Sequence, residues 1–133
     1  FVLDIDNFKK INDTMGHAFG DEVLRELGRQ IGVNFRVTDI IGRTGGDEFT
    51  IFLKNLKDDS NTIREAQKLE YFFRHCGVGY CVKFSAPASI GAAVFPADGS
   101  DFETLYKAAD AALYKAKKRG KNQLAFFDDR DRK

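Results

Sequence analysis

Apolar and polar positions follow two different rhythms along this chain, and each rhythm marks a kind of element. The opening Phe1-Val2-Leu3-Asp4-Ile5-Asp6 is a β-type run, read as a strand over residues 1–5. Asp4 and Asp6 share one side of it by the period of two. Between about 20 and 33 the period lengthens, and Val23, Leu24, Leu27 and Ile31 fall on one face of a helix. Ile40 to Thr44 and Phe49 to Leu53 read as two strands, joined through Gly45-Gly46-Asp47-Glu48 into a hairpin over about 40–53. Thr62 and Glu65 have the spacing of a capping box, which opens a helix running to about 75. Strands are expected at roughly 78–85 and 88–95, the second ended by Pro96. Ser100 and Glu103 cap a last helix with Phe102, Leu105, Tyr106, Ala109, Ala112, Leu113 and Ala116 on its apolar face. Gly120 ends that helix, and Leu124 to Phe127 forms a final strand. The order is strand, helix, hairpin, helix, hairpin, helix, strand. It predicts an α/β (α+β) sandwich with a mainly antiparallel central sheet flanked by helices.

Composition narrows the function classes. The 133 residues suit one compact domain, and 43% apolar content with 13 Phe is globular. A net charge of +1 gives no electrostatic footprint for general nucleic-acid binding. No apolar run approaches a membrane span, and nothing resembles a secretory leader. The chain opens inside a strand at Phe1 rather than at a Met, so a longer parent protein is expected. Cys76 and Cys81 fit no metal or redox pattern, even with His75 adjacent, and read as small buried thiols.

The chemistry concentrates in two acidic places. Asp47 and Glu48 sit at a hairpin tip beside two glycines, where a ligand can approach the backbone closely. They either face water or hold a hard cation. Asp4, at the end of the first strand, either caps the turn that follows or joins them. Mg²⁺ takes one or two carboxylates together with waters and substrate phosphates.

Asp4-Ile5-Asp6-Asn7-Phe8-Lys9-Lys10-Ile11-Asn12-Asp13, then Gly16-His17 and Gly20-Asp21, resembles the opening signature of the GGDEF family of bacterial diguanylate cyclases. Gly45 to Phe49 matches the motif that names the family. Ser89 to Ala92 with Pro96, Asp98 and Gly99 resembles its later strand and turn, and Ala109 to Lys117 with Gly120-Lys121-Asn122 resembles its last helix. The matches run in order from residue 1 to about 127. The resemblance implies a palm-like, ferredoxin-related fold.

It also implies roles. Asp4, the Ile5 carbonyl, Asp47 and Glu48 would bind metal, two Mg²⁺ (or Mn²⁺) ions per active half-site, with Asp47 and Glu48 catalytic. Gly45 and Gly46 would admit the ribose and α-phosphate of GTP. Asn12 and Asp21 match the guanine readers, although Asp21 read alone is the N-cap of the next helix. Lys117 and Lys121 would hold the triphosphate, with Lys9 a third candidate. Read alone, the basic cluster from Lys115 to Lys121 compensates a helix C-terminus. Lys121 departs from the family's usual Arg, keeping the charge but losing the bidentate fork. Arg36 and Asp39 form an R-x-x-D pair that is either an exposed ion pair or the family's inhibitory site for cyclic di-GMP.

The family's usual N-terminal helix and D-x-L-T-x-L-x-N-R segment are absent, so residues 1–133 read as one such domain without that segment. An EAL-type domain is one possible continuation after Phe126-Phe127-Asp128-Asp129. Two functions stay open. One is a homodimeric, cytoplasmic cyclase, whose parent can still be membrane-anchored, that condenses two GTP into cyclic di-GMP and is inhibited by its product. The other is a silent regulatory domain that binds GTP or cyclic di-GMP. Intact Asp47 and Glu48 favour the cyclase. A palm-fold nucleotidyltransferase with another product is weaker, because the guanine readers argue against adenine.

Overall fold

The computed structural model describes residues 1–6, 8–35, 39–54, 56, 59–75 and 88–128. Strand β1 (Val2–Ile5) leads into helices α1 (Phe8–Met15) and α2 (His17–Val33), then strands β2 (Ile40–Arg43) and β3 (Glu48–Phe52). Helix α3 (Asp59–His75), strand β4 (Ala88–Ala92), helix α4 (Phe102–Lys118) and strand β5 (Leu124–Phe126) complete the order. The sheet runs β2-β3-β1-β4-β5, antiparallel except for the parallel β4–β5 pair. This is the mainly antiparallel sheet that the periodicity predicts.

Because side chains alternate across the sheet, β1 divides its residues between two layers. Leu3 and Ile5 join Val23, Leu24, Leu27 and Ile31 of α2 and Leu69 and Phe73 of α3 in the main core. Val2 turns the other way, onto Ala109 and Leu113 of α4. Helix α4 covers that second face at very close range. A Cβ on Gly91 of β4 would lie 2.1 Å from the Ala109 carbonyl oxygen and 2.3 Å from the Leu113 nitrogen. Only glycine lets helix and strand backbones meet there, and the small side chains Ala108, Ala109, Ala112 and Ala116 complete the contact.

Several boundaries differ from the sequence reading. Helix α1 was not anticipated, and its Phe8 is buried in the main core. Helix α2 starts at His17 behind Gly16, which has φ +90 and no side-chain cap. Asp21 therefore lies inside the helix, and the N-cap reading of Asp21 is wrong. Helix α3 begins at Asp59, so Thr62 and Glu65 lie inside it rather than at its opening, and Thr62 is buried. The cap of α4 is one residue later than expected. Asp101 accepts from the Thr104 backbone N–H at 2.8 Å, and Thr104 answers as the reciprocal partner. Asp can accept that bond as well as Ser can, so spacing alone did not choose between neighbouring registers. The strand expected at 78–85 and both cysteines lie outside the described residues. No helix among the described residues is long and apolar enough to cross a membrane.

Candidate functional site

Strand pairing assembles the acidic centre. Asp4 of β1 stands opposite Glu48 of β3 in the antiparallel register. Leu3 and Ile5 point into the main core, so Asp4 belongs to the α4 face, and Glu48 shares that face because Phe49 and Ile51 point into the core. Asp47 is half-buried at the hairpin tip, and its carbonyl accepts from the Ile5 N–H at 3.2 Å. Arg43 shapes the same tip by donating to the Gly46 carbonyl at 2.7 and 3.0 Å and to the Gly45 carbonyl at 3.3 Å. Neither Gly45 nor Gly46 has a positive φ. Gly46 instead leaves open space, since a Cβ there would meet nothing within 4 Å.

Each acid has partners that fix it. The Lys117 ammonium of α4 donates to Asp4 Oδ2 at 2.6 Å, so the lysine expected at the triphosphate rests on the acidic centre. Burial alone would lower the Lys117 ammonium, but the hydrogen bond and charge of Asp4, with Asp47 and Asp6 nearby, turn the net shift upward. Burial first, then the hydrogen bond and like charge of Asp4, push the Asp47 carboxyl up to about 6. Glu48 is gripped through a single oxygen. Tyr106 of α4 donates its hydroxyl to Oε1, and Thr44 donates to the same atom at 2.8 Å.

These residues fit a divalent cation. Asp4 Oδ1 is buried and accepts from no N–H or hydroxyl among the described residues, and its carboxyl neighbour Asp47 is of like charge once ionised. Among the described residues no three His, Cys, Asp or Glu side chains already form a closed cage. Mg²⁺ does not need one, because waters and substrate phosphates fill most of its octahedron.

A second group lies at the α1–α2 junction. The Asn12 side-chain oxygen sits 1.9 Å from where a Gly20 Cβ would be, so Gly20 admits Asn12 against α2, one residue before the exposed Asp21. The two candidate guanine readers therefore meet at one corner. Lys9 is exposed on α1. Lys121 is exposed beyond α4 in a left-handed run, with Gly120 at φ +115, Lys121 at +64 and Asn122 at +50. Asp39 accepts from the Lys54 N–H at 3.2 Å, while Arg36 lies outside the described residues.

Sequence reasoning missed three residues. Tyr106 was read only as part of an apolar face, although a tyrosine there needs a partner for its hydroxyl. Thr44 was read only as a strand residue. Asp6 is a latch rather than a ligand: buried, it accepts from the Ser89 hydroxyl at 2.6 Å and the Asn122 N–H at 2.8 Å, tying the loop after α4 to β1.

Known proteins resemble this chain in sequence and in fold. Residues 1–123 match the family described as Diguanylate cyclase, GGDEF domain. The chain is 40% identical over 130 residues to diguanylate cyclase DosC of Escherichia coli K12, covering 95% of this chain and 27% of DosC. It therefore spans about a quarter of that relative's length. Among solved structures, an EAL/GGDEF domain protein from M. capsulatus superposes with a TM-score of 0.86 at 44% identity, covering 96% of this chain and 82% of that one. The GGDEF domain of DgcB from Caulobacter crescentus, solved in complex with c-di-GMP, superposes with a TM-score of 0.78 at 29% identity, covering 96% of this chain and 73% of that one. The five-stranded sheet is thus the palm-like fold of these neighbours. With the motif residues in order along the chain and the fold shared, the chain belongs to the GGDEF-domain family of diguanylate cyclases.

Proposed function

We propose that this domain condenses two GTP molecules into cyclic di-GMP and two pyrophosphates. The observation that carries the reading is the cross-strand placement of Asp4 opposite Glu48, with Asp47 at the adjoining tip. Divalent ions held by Asp4, the Ile5 carbonyl, Asp47 and Glu48 would polarise the α-phosphate and help ionise the attacking 3′-hydroxyl. The open space at Gly46 lets the ribose and α-phosphate lie against the hairpin backbone. Lys117 balances the acids in the free domain and would meet an incoming phosphate there, with the exposed Lys121 and Lys9 as further phosphate contacts. Asn12 and Asp21 read the guanine edge, as an amide and a carboxylate suit its donors and acceptors.

Each such site holds one GTP, so two copies must meet face to face for both bonds to form. Arg36 and Asp39 bind the product and slow the enzyme from outside the acidic centre. The intact acids favour turnover over a silent binding role. The test is incubation of the full-length protein with GTP and Mg²⁺ and analysis of the products by mass. Cyclic di-GMP is expected, and Glu48→Gln should cut its formation by more than the 10–100-fold typical of residues that only support a metal ligand. Retained activity in that variant would overturn the assignment.

A further inference from the structure

Glu48 is held in a way that points to a residue outside the motif. Its carboxylate lies between two elements, the hairpin that carries it and helix α4 that covers the sheet. Tyr106 reaches it from α4 and Thr44 from the hairpin, and both donate to Oε1. Thr44 is itself fixed, with its hydroxyl 3.0 Å from that of Thr50 across the hairpin. Among the described residues none donates to the other oxygen, Oε2. The Tyr106 ring packs with Val2, Ala109 and Leu113, and lies 5.9 Å from the Phe102 ring, so its hydroxyl has little freedom to move away.

We propose that Tyr106 is a positioning residue for Glu48, one that holds the carboxylate with Oε1 satisfied and Oε2 presented for a divalent cation. This rests on the reading of Glu48 as a metal ligand. A carboxylate on a hairpin edge otherwise samples several rotamers, and ordering it on binding costs side-chain entropy. Two neutral donors converging on one oxygen meet that cost when the domain folds. They also leave the carboxylate charge intact, which a cationic partner on the same oxygen would offset. Outer hydrogen bonds of this kind orient metal ligands, and losing one typically weakens metal affinity 10–100-fold.

The experiment is titration of Mn²⁺ into the nucleotide-free chain, with free Mn²⁺ followed by electron paramagnetic resonance. The parent chain is compared with Tyr106→Phe, Thr44→Val and Glu48→Gln, and an unfolding midpoint is recorded for each. Tyr106→Phe keeps the packed ring and removes only the hydroxyl, and about tenfold weaker Mn²⁺ binding is expected. Thr44→Val should weaken binding in the same direction, which keeps the inference testable if the Phe variant folds poorly. A merely structural Tyr106 would lower the unfolding midpoint and leave Mn²⁺ affinity at the parent value, and that result overturns the proposal. If Glu48→Gln loses Mn²⁺ while Tyr106→Phe and Thr44→Val keep it, only the positioning role fails. If Glu48→Gln binds Mn²⁺ as the parent does, the metal-ligand reading fails and takes this inference with it.

Discussion

The α4 cover over the acidic centre and the α1–α2 corner each depend on a close approach at one glycine, Gly91 and Gly20, but the two glycines face different obstacles. At Gly91 a side chain would strike the backbone of α4, at the Ala109 carbonyl and the Leu113 nitrogen. At Gly20 it would strike the end of the Asn12 side chain and, at 3.1 Å, the Phe8 ring. Backbone cannot yield without moving a whole helix, whereas an asparagine side chain can rotate. The charge balance differs in the same sense. The acidic centre crowds Asp4 and Asp47 together and needs Lys117 to compensate. The corner is open, with Asp21 exposed on a helix surface. Electrostatic cost is built into the acidic centre, whereas the corner is formed by adaptable side chains.

Gly91→Ala is the most severe way to break this comparison. Overpacking in a close-packed interior typically costs 1–3 kcal/mol, and a clash with helix backbone belongs at the upper end, about 3 kcal/mol. Helix α4 carries both Tyr106 and Lys117, so Mn²⁺ binding and turnover should fall together with stability. Chemical denaturation beside a turnover assay measures both. A variant as stable as its parent would mean that α4 is not seated on β4 as described.

Gly20→Ala should do the opposite, sparing the fold and harming recognition. Alanine gains up to about 1 kcal/mol over glycine inside a helix, which offsets a small displacement of Phe8. Asn12 has to leave its position against α2. Losing one hydrogen bond to the base costs about 1 kcal/mol, so GTP binding should weaken about fivefold while ATP binding stays the same. Calorimetry with both nucleotides decides the matter. Equal GTP affinity in variant and parent would remove Asn12 from the base site.

How legible these two regions were in the sequence follows from what fixes them. The period of two put Asp4 and Asp6 on one side of β1, and the hairpin signal put Asp47 and Glu48 at a tip. The register opposing Asp4 to Glu48 depends on strand pairing across more than forty residues, which no local pattern encodes. The different fates of Asp4 and Asp6 were equally hidden, because Ser89 and Asn122 claim Asp6 from distant parts of the chain. Near the corner, Asp21 fitted a cap because the glycine that actually opens α2 has no side chain to signal it. Helix α1 was overlooked since only eight residues carry its pattern, too few for a periodicity argument. Tyr106 falls on an apolar helix face, and the partner of its hydroxyl, Glu48, lies 58 residues away, where no local pattern points to it.

The smallest expected effect sharpens the electrostatic half of the comparison. Burial and the neighbouring Asp4 push the Asp47 carboxyl up to about 6 in the folded domain, against an ordinary value of 3.8. Between those values the folded chain keeps a proton that the unfolded chain has released. This group's contribution therefore favours the fold most below about pH 4 and is lost as pH rises towards about 6. The carboxyl is half-buried and partly screened by water, so the loss amounts to about 1 kcal/mol or less. Asp47→Asn removes the titration without changing the shape of the side chain. Unfolding measured in a chelator at several pH values from 4 to 7 should fall less steeply for the variant than for the parent. Adding Mg²⁺ above pH 6 should restore stability to the parent more than to Asp47→Asn, because the ion compensates a charge that the variant lacks. Parallel pH curves for the two proteins would show that Asp4 and Asp47 do not repel each other, and the contrast between a strained acidic centre and a relaxed corner would disappear.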